Sequence, residues 1–373
     1  YPLIDGVVNG CPSHLLEPTR SNLFPYSSDY TQTNWSKFNV TIESNSTISP
    51  DGTLNADKIL EQVDSANGHF MFDNLGLTPS VEYNFSIFVK KLNRRYVAIQ
   101  NSYNTANGSI AFFDLDTETL VYTYSNGTIG TFIVSDAKIE KYPNGWYRLS
   151  ANFQSNVSTS VLPALVLADT QWSTGFSYNN TYTGDVTKGI YAWGAQIEQG
   201  SYATSYIPTS GSAVTRVAET ATGSGDASTF NDSEGVLMAE INFENIDTVS
   251  KYLGLHGSTS ANRVIIGLSA NSSTLVGFVI ANGSNVFNPN FELGASVNTN
   301  NKIALKYKEN DFALWVNGIE VVIDNLGSLS AMSINELAFF GYQTNNQPFL
   351  GSTKQIQYFD SALNDTDLET LTS

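Results

Sequence analysis

Cysteine, histidine and positive charge are the scarcest features of this sequence. The 373 residues include one cysteine, three histidines and 18 lysines and arginines. Because a disulfide needs two cysteines, Cys11 forms none within the chain, so stability must come from burial, a metal or oligomerisation. One cysteine and three scattered histidines also offer no ligand spacing for a zinc site.

Charge of either sign is sparse, and the balance is acidic. Charged residues make up 14% of the chain and the net charge is −17, whereas an average globular protein is about 25% charged. Nucleic-acid binding needs lysine and arginine patches that neutralise phosphates, so the composition argues against a nucleic-acid partner. The one basic cluster, Lys90-Lys91 with Arg94-Arg95, is predicted to be a solvated hairpin end.

Long apolar runs are absent as well. No stretch reaches the roughly 18 apolar residues of a membrane-spanning helix, so we predict no membrane span. The chain starts at Tyr1 without a signal-peptide pattern, which indicates that it begins inside a larger precursor or is a processed fragment.

Short-range alternation of apolar and polar residues is what the sequence does contain. Residues 81–89, 146–153 and 302–307 alternate with a period of two, which is typical of half-buried strands. Asn-Gly and Asp-Gly pairs between such runs favour tight hairpin turns. The pattern predicts an all-β chain of antiparallel β-sandwiches. Only the segment Leu363–Leu371 has helical periodicity, with Asn364 as its predicted cap.

A break in composition divides the chain into two parts. Residues 209–228 are rich in glycine, serine, threonine and alanine, as linkers are. We therefore predict an N-terminal arm over residues 1–22, which connects to an upstream part. A first sandwich is predicted over residues 23–208 and a second over 229–373.

Several stretches resemble known families. In the first half these are Leu15–Leu23, Tyr26–Tyr30, Ser49–Lys58 and Trp193–Thr209. Together they resemble a jelly-roll module of phage tail and virion proteins and of Bacteroidetes surface proteins, which is similar to carbohydrate-binding modules. In the second half, Ile303–Gly318 and Gly351–Leu371 resemble a laminin-G/concanavalin A-like lectin domain. The resemblance implies two tandem antiparallel sandwiches in a phage tail or virion structural protein.

Aromatic residues suggest where a glycan would bind, because sugar-binding sandwiches stack exposed rings on sugar faces. We predict core or sandwich-edge positions for Trp35, Trp146, Trp193 and Trp315. Trp172 lies instead in a long polar loop, residues 168–182, and loops of this kind often carry function. We predict a glycan platform of Trp172, Tyr178 and Tyr182. The alternative is a loop that packs on itself or contacts another copy of the chain.

Calcium is the expected metal in a chain with excess carboxylate. The resemblance to jelly rolls and lectin-like domains implies an ion held at a loop by carboxylates and carbonyls. Asp51, Asn55 and Asp57 have suitable alternating spacing, and Glu198 closes the same domain. We predict a structural Ca²⁺ at these four residues, with a solvated turn as the alternative.

One strand is similar to a catalytic motif. Glu240, Asn242 and Glu244 are spaced to share one strand face, as in the Glu-x-Asp-x-Glu strand of laminarinase-type glycoside hydrolases. Retaining hydrolysis needs an acid and a nucleophile about 5–5.5 Å apart. Asn242 replaces the central Asp, and the motif falls in the first strand of the second sandwich. We therefore predict a solvated strand face and no enzyme.

These observations predict a non-enzymatic structural or adhesion protein on a virion surface (tail or capsid) or a cell surface. The predicted partners are cell-surface or extracellular glycans and other virion proteins, and the chain is predicted to form a homo-oligomer. Two alternatives stay open. One is a purely architectural decoration or fibre module without a sugar site, and the other is a secreted polysaccharide-active enzyme or its accessory binding module.

Overall fold

The computed structural model describes residues 3–4, 7–8, 13–63, 68–104, 107–126, 132–155, 160–171, 182–342 and 346–373. The chain divides into two compact units. The N-terminal unit contains residues 3–4 and 7–8 and the described part of 19–217. The C-terminal unit contains residues 13–18 and the described part of 218–373.

Thirty-one strands and one α-helix are found in the described residues. Up to residue 217, in chain order, they are β1 (Leu3–Ile4), β2 (Val7–Val8), β3 (His14–Leu16), β4 (Arg20–Asn22), β5 (Ser36–Phe38), β6 (Val40–Ile48), β7 (Leu54–Glu61), β8 (His69–Phe72), β9 (Leu75–Gly76), β10 (Glu82–Lys91), β11 (Tyr96–Asn104), β12 (Asn107–Asp114), β13 (Thr119–Asn126), β14 (Phe132–Tyr142), β15 (Trp146–Ser155), β16 (Ser160–Ala168), β17 (Gly189–Gln199) and β18 (Val214–Arg216). The remaining elements are β19 (Glu234–Asn242), β20 (Lys251–His256), β21 (Arg263–Leu268), β22 (Thr274–Ala281), β23 (Ser284–Phe287), β24 (Asn290–Glu292), β25 (Asn301–Lys308), β26 (Phe312–Val316), β27 (Ile319–Asp324), β28 (Glu336–Ala338), β29 (Phe340–Tyr342), β30 (Asn346–Pro348), β31 (Gly351–Phe359) and α1 (Asp365–Thr372).

The N-terminal unit is a sandwich of two antiparallel sheets. A six-stranded sheet has the order β14-β15-β10-β17-β7-β6, and a seven-stranded sheet has the order β13-β12-β11-β16-β8-β5 with β9 paired to β16. Side chains alternate between the faces of a strand, so Phe85 and Ile87 of β10 and Val97 and Ile99 of β11 all point into the core. The prediction of an all-β fold built from antiparallel sandwiches is confirmed.

The outer face of the six-stranded sheet is covered by the chain itself. Trp146 and Trp193 lie on this face and are 1% and 4% exposed, and the Trp193 ring centroid is 4.4 Å from that of Tyr206. Arg148 Nη2 donates to Ser86 Oγ at 2.9 Å and to the Thr204 carbonyl at 2.7 Å. The predicted burial of both tryptophans is confirmed, but on the outer face of the six-stranded sheet rather than between the two sheets.

The C-terminal unit is also a sandwich. A six-stranded sheet has the order β27-β26-β25-β19-β31-β3, and an eight-stranded sheet has the order β23-β22-β21-β20-β30-β29 with β24 paired to β22 and β28 to β20. Helix α1 packs Leu368 against Trp315 on the outer face of the six-stranded sheet. The predicted cap is confirmed, because the Asn364 side chain accepts from the Asp367 N–H at 3.0 Å. The described residues contain no helix long and apolar enough to cross a membrane.

The unit boundaries differ from the predicted arm over residues 1–22 and the predicted linker over 209–228. Strand β3 pairs with β31 of the C-terminal unit, and Leu16 is buried there, whereas β4 pairs with β18 in the N-terminal unit. The predicted linker is divided after Val217. Its second part includes Ser224, which exchanges backbone hydrogen bonds with Leu337. Strands of three residues are too short for sequence alternation to reveal.

Candidate functional site

The predicted glycan platform is only partly described. Trp172 and Tyr178 lie outside the described residues, while Tyr182 is 8% exposed and lies in the interior. Its hydroxyl donates to Glu61 Oε1 at 2.7 Å, and its ring centroid is 4.3 Å from that of His69. Burial and the Glu61 carboxylate raise the pKa of Tyr182 well above the ordinary range. Tyr182 is therefore an interior residue and not the exposed platform ring expected from the sequence.

The carboxylate that holds Tyr182 also corrects the prediction for the basic cluster. Glu61, whose side chain is fully buried, accepts from Arg94 Nε at 2.5 Å and Arg94 Nη2 at 2.6 Å. Burial alone would raise the pKa of Glu61, but the hydrogen bonds from Arg94 and Tyr182 lower it. Arg95 binds Asp114 through two hydrogen bonds of 2.8 and 2.6 Å. Strands β10 and β11 lie in different sheets, so this segment is not a hairpin end. Arg94 is mostly buried in its ion pair, whereas the side chains of Arg95 and Lys91 are partly exposed, as expected for a solvated segment.

The four predicted calcium ligands are not brought together. Asp51 accepts from Ser49 and Thr53, while Asp57 accepts from the N–H groups of Tyr30 and Asn45. Asp57 pairs with Ala192 on β17, and Glu198 lies six residues further along that strand. Six residues of strand span about 20 Å, so Asp57 and Glu198 cannot share an ion.

Glu198 is also fully used by protein donors. It accepts from Gln196 Nε2 at 2.7 Å, from the Thr204 N–H at 2.8 Å and from Thr204 Oγ1 at 2.6 Å. Donors that point at a carboxylate occupy the positions a cation would need, so Asp51, Asn55, Asp57 and Glu198 do not fit one coordination sphere. The described residues contain no cluster of three acidic, histidine or cysteine ligands. Calcium binding stays a prediction of the sequence, which calorimetric titration against a chelator control tests.

The residues of the catalytic-like motif do not share a strand face. Strand β19 ends at Asn242, and Glu244 has a backbone φ of +61°, outside strand geometry. Glu240 is 6% exposed, and its Oε1 is 2.6 Å from Lys354 Nζ. Glu240 is thus a mostly buried, ion-paired carboxylate instead of part of a solvated face. A strand that ends after Asn242 cannot present Glu240 and Glu244 as a catalytic pair.

A more suitable surface lies on the outer face of the seven-stranded sheet, called here the aromatic face. Its rings form two groups separated by small residues on the central strands β11 and β16. The two groups are Phe38, Phe70 and Phe72 on one side and Tyr96, Phe112, Tyr122 and Tyr124 on the other. The small residues between them are Ala98, Ala164, Val166 and Ala168. The sequence of β16 did not predict that its alanines would lie between two groups of aromatic rings.

The rings within each group are close and nearly parallel. The centroids of Phe38 and Phe70 are 4.9 Å apart, with a 21° angle between the ring planes. On the other side, Phe112 lies 5.8 Å from Tyr96 and 5.4 Å from Tyr122, again at 21°. Such stacks hold aromatic side chains in fixed orientations. Phe38 is 41% exposed, and Tyr96 and Tyr122 are partly exposed, so the rim of this face reaches solvent.

Gln100 lies in the floor of the aromatic face. It follows Ala98 by two residues on β11, so the two side chains point to the same side, between Ile110 of β12 and Ala164 of β16. Gln100 has no exposed surface, and among the described residues neither its Nε2 nor its Oε1 has a hydrogen-bond partner. A buried amide left unpaired costs about 1–3 kcal/mol, so its presence calls for an explanation.

A second glutamine of the same unit shows the ordinary arrangement. Gln196, on the outer face of the six-stranded sheet, is equally buried. Its Nε2 donates to Glu198 at 2.7 Å, and its Oε1 accepts from the Ile207 N–H at 2.7 Å. Gln100 thus differs from Gln196 in lacking a partner at both amide atoms among the described residues. The sequence did mark Gln100 as unusual, because it ends the apolar run Val97-Ala98-Ile99. Alternation alone could not predict on which face of the sheet its side chain lies.

The aromatic face is close to electrically neutral. Burial raises the pKa of Tyr122 to about 12, so its phenol stays protonated. The Arg95 guanidinium lies 4.9 Å from the Tyr96 ring centroid, but Asp114 neutralises it. Rings, hydroxyls and one amide are thus what this face offers to a ligand, and these groups suit uncharged polar molecules with apolar surfaces.

No protein-family model matches the sequence, and no curated protein matches it significantly. Among solved structures, the chain is similar to the carbohydrate-binding module CBM40 of the Ruminococcus gnavus IT-sialidase, at 14% identity and a TM-score of 0.34, covering 41% of this chain and 94% of that one. It is similar to domains LG4-5 of the mouse laminin α1 chain, at 11% identity and a TM-score of 0.27, covering 80% and 90%. It is also similar to a putative carbohydrate-binding protein from Bacteroides ovatus, at 12% identity and a TM-score of 0.28, covering 78% and 80%.

Proposed function

We propose that the N-terminal unit binds a neutral glycan on the aromatic face. The observation that carries the proposal is Gln100, fully buried and, within the described structure, unpaired at both amide atoms. An amide offers donors and acceptors together, as sugar hydroxyls do, so a bound sugar would satisfy both. The flanking rings supply apolar faces on which sugar C–H surfaces stack.

Charge narrows the class of glycan. The chain carries a net charge of −17, so its field repels sulfated and other polyanionic saccharides at moderate salt. We propose neutral saccharides as the ligands. Trp172 and Tyr178 lie outside the described residues, so their part in glycan binding stays a prediction of the sequence.

The test begins with a glycan array and continues with Gln100→Leu. On the array, the full chain is expected to bind neutral saccharides in preference to sulfated or sialylated ones. Gln100→Leu should lower the affinity for the strongest array saccharide by about tenfold or more, because its hydroxyls lose both amide partners. The melting temperature should stay the same or rise, since the substitution removes two unpaired polar atoms from the interior. Calorimetric titration and thermal unfolding measure the two effects.

Two variants make this test specific. Gln196→Leu removes a bonded amide, so it should lower the melting temperature, the opposite of Gln100→Leu. Tyr124→Ala trims the partly exposed rim and should weaken saccharide binding with little change in stability. An array without glycan binding contradicts the proposal and favours the architectural alternative. Wild-type affinity of Gln100→Leu for the array saccharide contradicts it as well.

We further propose that the protein works on the surface of a virion or cell, as an adhesion or structural protein beside other virion proteins. The low charged fraction of 14%, with polarity supplied by neutral residues, supports an exposed β-protein. We propose a homo-oligomer, since several weak sugar sites on one particle bind by avidity. Analytical ultracentrifugation measures the oligomeric state, and a strictly monomeric chain would refute that part. Imaging of the intact particle tests the location.

A further inference from the structure

The C-terminal unit has a row of polar side chains on the outer face of its eight-stranded sheet, called here the histidine row. Strand pairing places His256 of β20 directly between Arg263 of β21 and Glu336 of β28. Leu253 and Leu255 of the same strand point into the core, so His256 points to the opposite, outer face. The imidazole of His256, the guanidinium of Arg263 and the carboxylate of Glu336 are thus adjacent on one sheet face.

His256 has an unpaired nitrogen. It is 4% exposed, and in the described part of the chain its Nε2 has no hydrogen-bond partner. Burial, with a smaller effect from Arg263, lowers the pKa of His256 to about 4, although a hydrogen bond to the Phe340 backbone opposes this. The imidazole is therefore neutral near neutral pH, and the nitrogen that lacks a partner is available as an acceptor.

An aromatic ring and a second polar contact lie next to His256. The Phe340 ring centroid lies 4.9 Å from that of His256, and Arg263 Nη1 donates to the Gly341 carbonyl at 2.9 Å. The partly exposed Tyr252 ring lies along the sheet over two glycines. A Cβ at Gly267 would come within 1.9 Å of its Cδ1, and a Cβ at Gly341 within 2.3 Å of its Cδ2. The two glycines therefore let the ring lie flat beside the histidine row.

We propose that the histidine row, with Tyr252 and Phe340, is a second saccharide site in which His256 Nε2 accepts a hydrogen bond from a sugar hydroxyl. Its strand neighbours take the adjoining hydroxyls: Arg263 donates a hydrogen bond to one, and the Glu336 carboxylate accepts from another. The two rings provide the apolar contact. This site stands on different residues from the aromatic face, so it holds whether or not the N-terminal unit binds glycans.

Nitrogen-resolved spectroscopy of the histidine rings tests the second site directly. The chain has three histidines, so their ring nitrogens are assigned with one His→Gln variant each. D-galactose, D-glucose, N-acetylglucosamine and lactose are titrated into the full chain. At least one is expected to shift the His256 Nε2 signal in a saturable way, also in the Gln100→Leu background. The His69 Nε2 signal should not move, since that nitrogen is already hydrogen bonded to the Gln62 carbonyl at 3.0 Å.

Affinity measurements with matched variants complete the test. His256→Leu should weaken binding of the shifting saccharide by about tenfold or more without lowering the melting temperature. His14→Leu, an exposed histidine of the same unit, should leave the affinity unchanged. A His256 signal unmoved by all four sugars overturns the proposal. Unchanged affinity in His256→Leu overturns it as well. If only the aromatic face fails to bind, the saccharide should still shift the His256 signal and should still lose affinity in His256→Leu.

Discussion

Replacing Arg94 by alanine is expected to destabilise the N-terminal unit by about 3–5 kcal/mol, because it leaves a buried carboxylate without its cation. Glu61 is completely buried, and Arg94 is 13% exposed at the side chain. Two hydrogen bonds join them, and the Tyr182 hydroxyl and the Asp185 N–H donate to the same carboxylate. These neutral donors remain in the variant but cannot balance the charge. The destabilisation should lower the melting temperature by roughly 10 °C or more.

Denaturant unfolding of the full chain measures this effect against a matched pair. Lys138 and Asp136 are 2.8 Å apart, but both side chains are about half exposed. Lys138→Ala should therefore cost less than about 1 kcal/mol. Adding Glu61→Gln to Arg94→Ala removes the buried charge and should restore part of the loss. Equal effects of Arg94→Ala and Lys138→Ala would show that the Glu61 network contributes no more than a surface ion pair.

The strands and their faces were predictable where alternation was long. The run at residues 81–89 predicts β10 almost to its ends, and the capped segment 363–371 predicts α1. Each of these patterns is local, because a strand or helix displays its period within about ten residues. The short strands β3 and β18 show no such pattern, so the sequence analysis placed them in the predicted arm and linker and missed their pairing with β31 and β4.

The site residues were harder to predict, because their roles depend on partners far away in the chain. Tyr182 lies in a polar, aromatic-rich stretch that is typical of an exposed loop. It is buried because its hydroxyl binds Glu61, which lies 121 residues earlier in the chain. Asp57 and Glu198 have the chemistry of calcium ligands, yet backbone N–H groups and a threonine already occupy their oxygens. Gln100 was visible as a polar residue in an apolar run. Only the order of the strands shows that it faces outward between aromatic walls.

Asp73 leads to the second large prediction, in which acidification stabilises the N-terminal unit. This carboxyl group is 4% exposed; its Oδ1 accepts from the Asn74 N–H at 2.7 Å, while its Oδ2 has no partner within the described chain. Burial raises the pKa of Asp73 from 3.8 to about 6. The folded state therefore binds a proton more tightly than the unfolded state. The contribution of Asp73 to stability is complete below about pH 4 and is lost as the pH rises through about 6.

Asp73→Asn should remove this loss, because the amide carries no charge to bury. Relative to the natural chain, the variant should be more stable at about pH 7, by up to about 3 kcal/mol, and the difference should vanish near pH 4.

Asp51→Asn is the matched control. Hydrogen bonds from Ser49 and Thr53 lower the pKa of Asp51 although burial opposes them, so its charged form is stabilising. That variant should be less stable at about pH 7, the opposite sign. Scanning calorimetry at both pH values measures the differences, and a pH-independent effect of Asp73→Asn would show that folding does not raise the pKa of Asp73. Comparing each variant with the natural chain separates the one carboxyl group from His256, whose lowered pKa makes the C-terminal unit lose stability as the pH falls from about 6.5 to about 4.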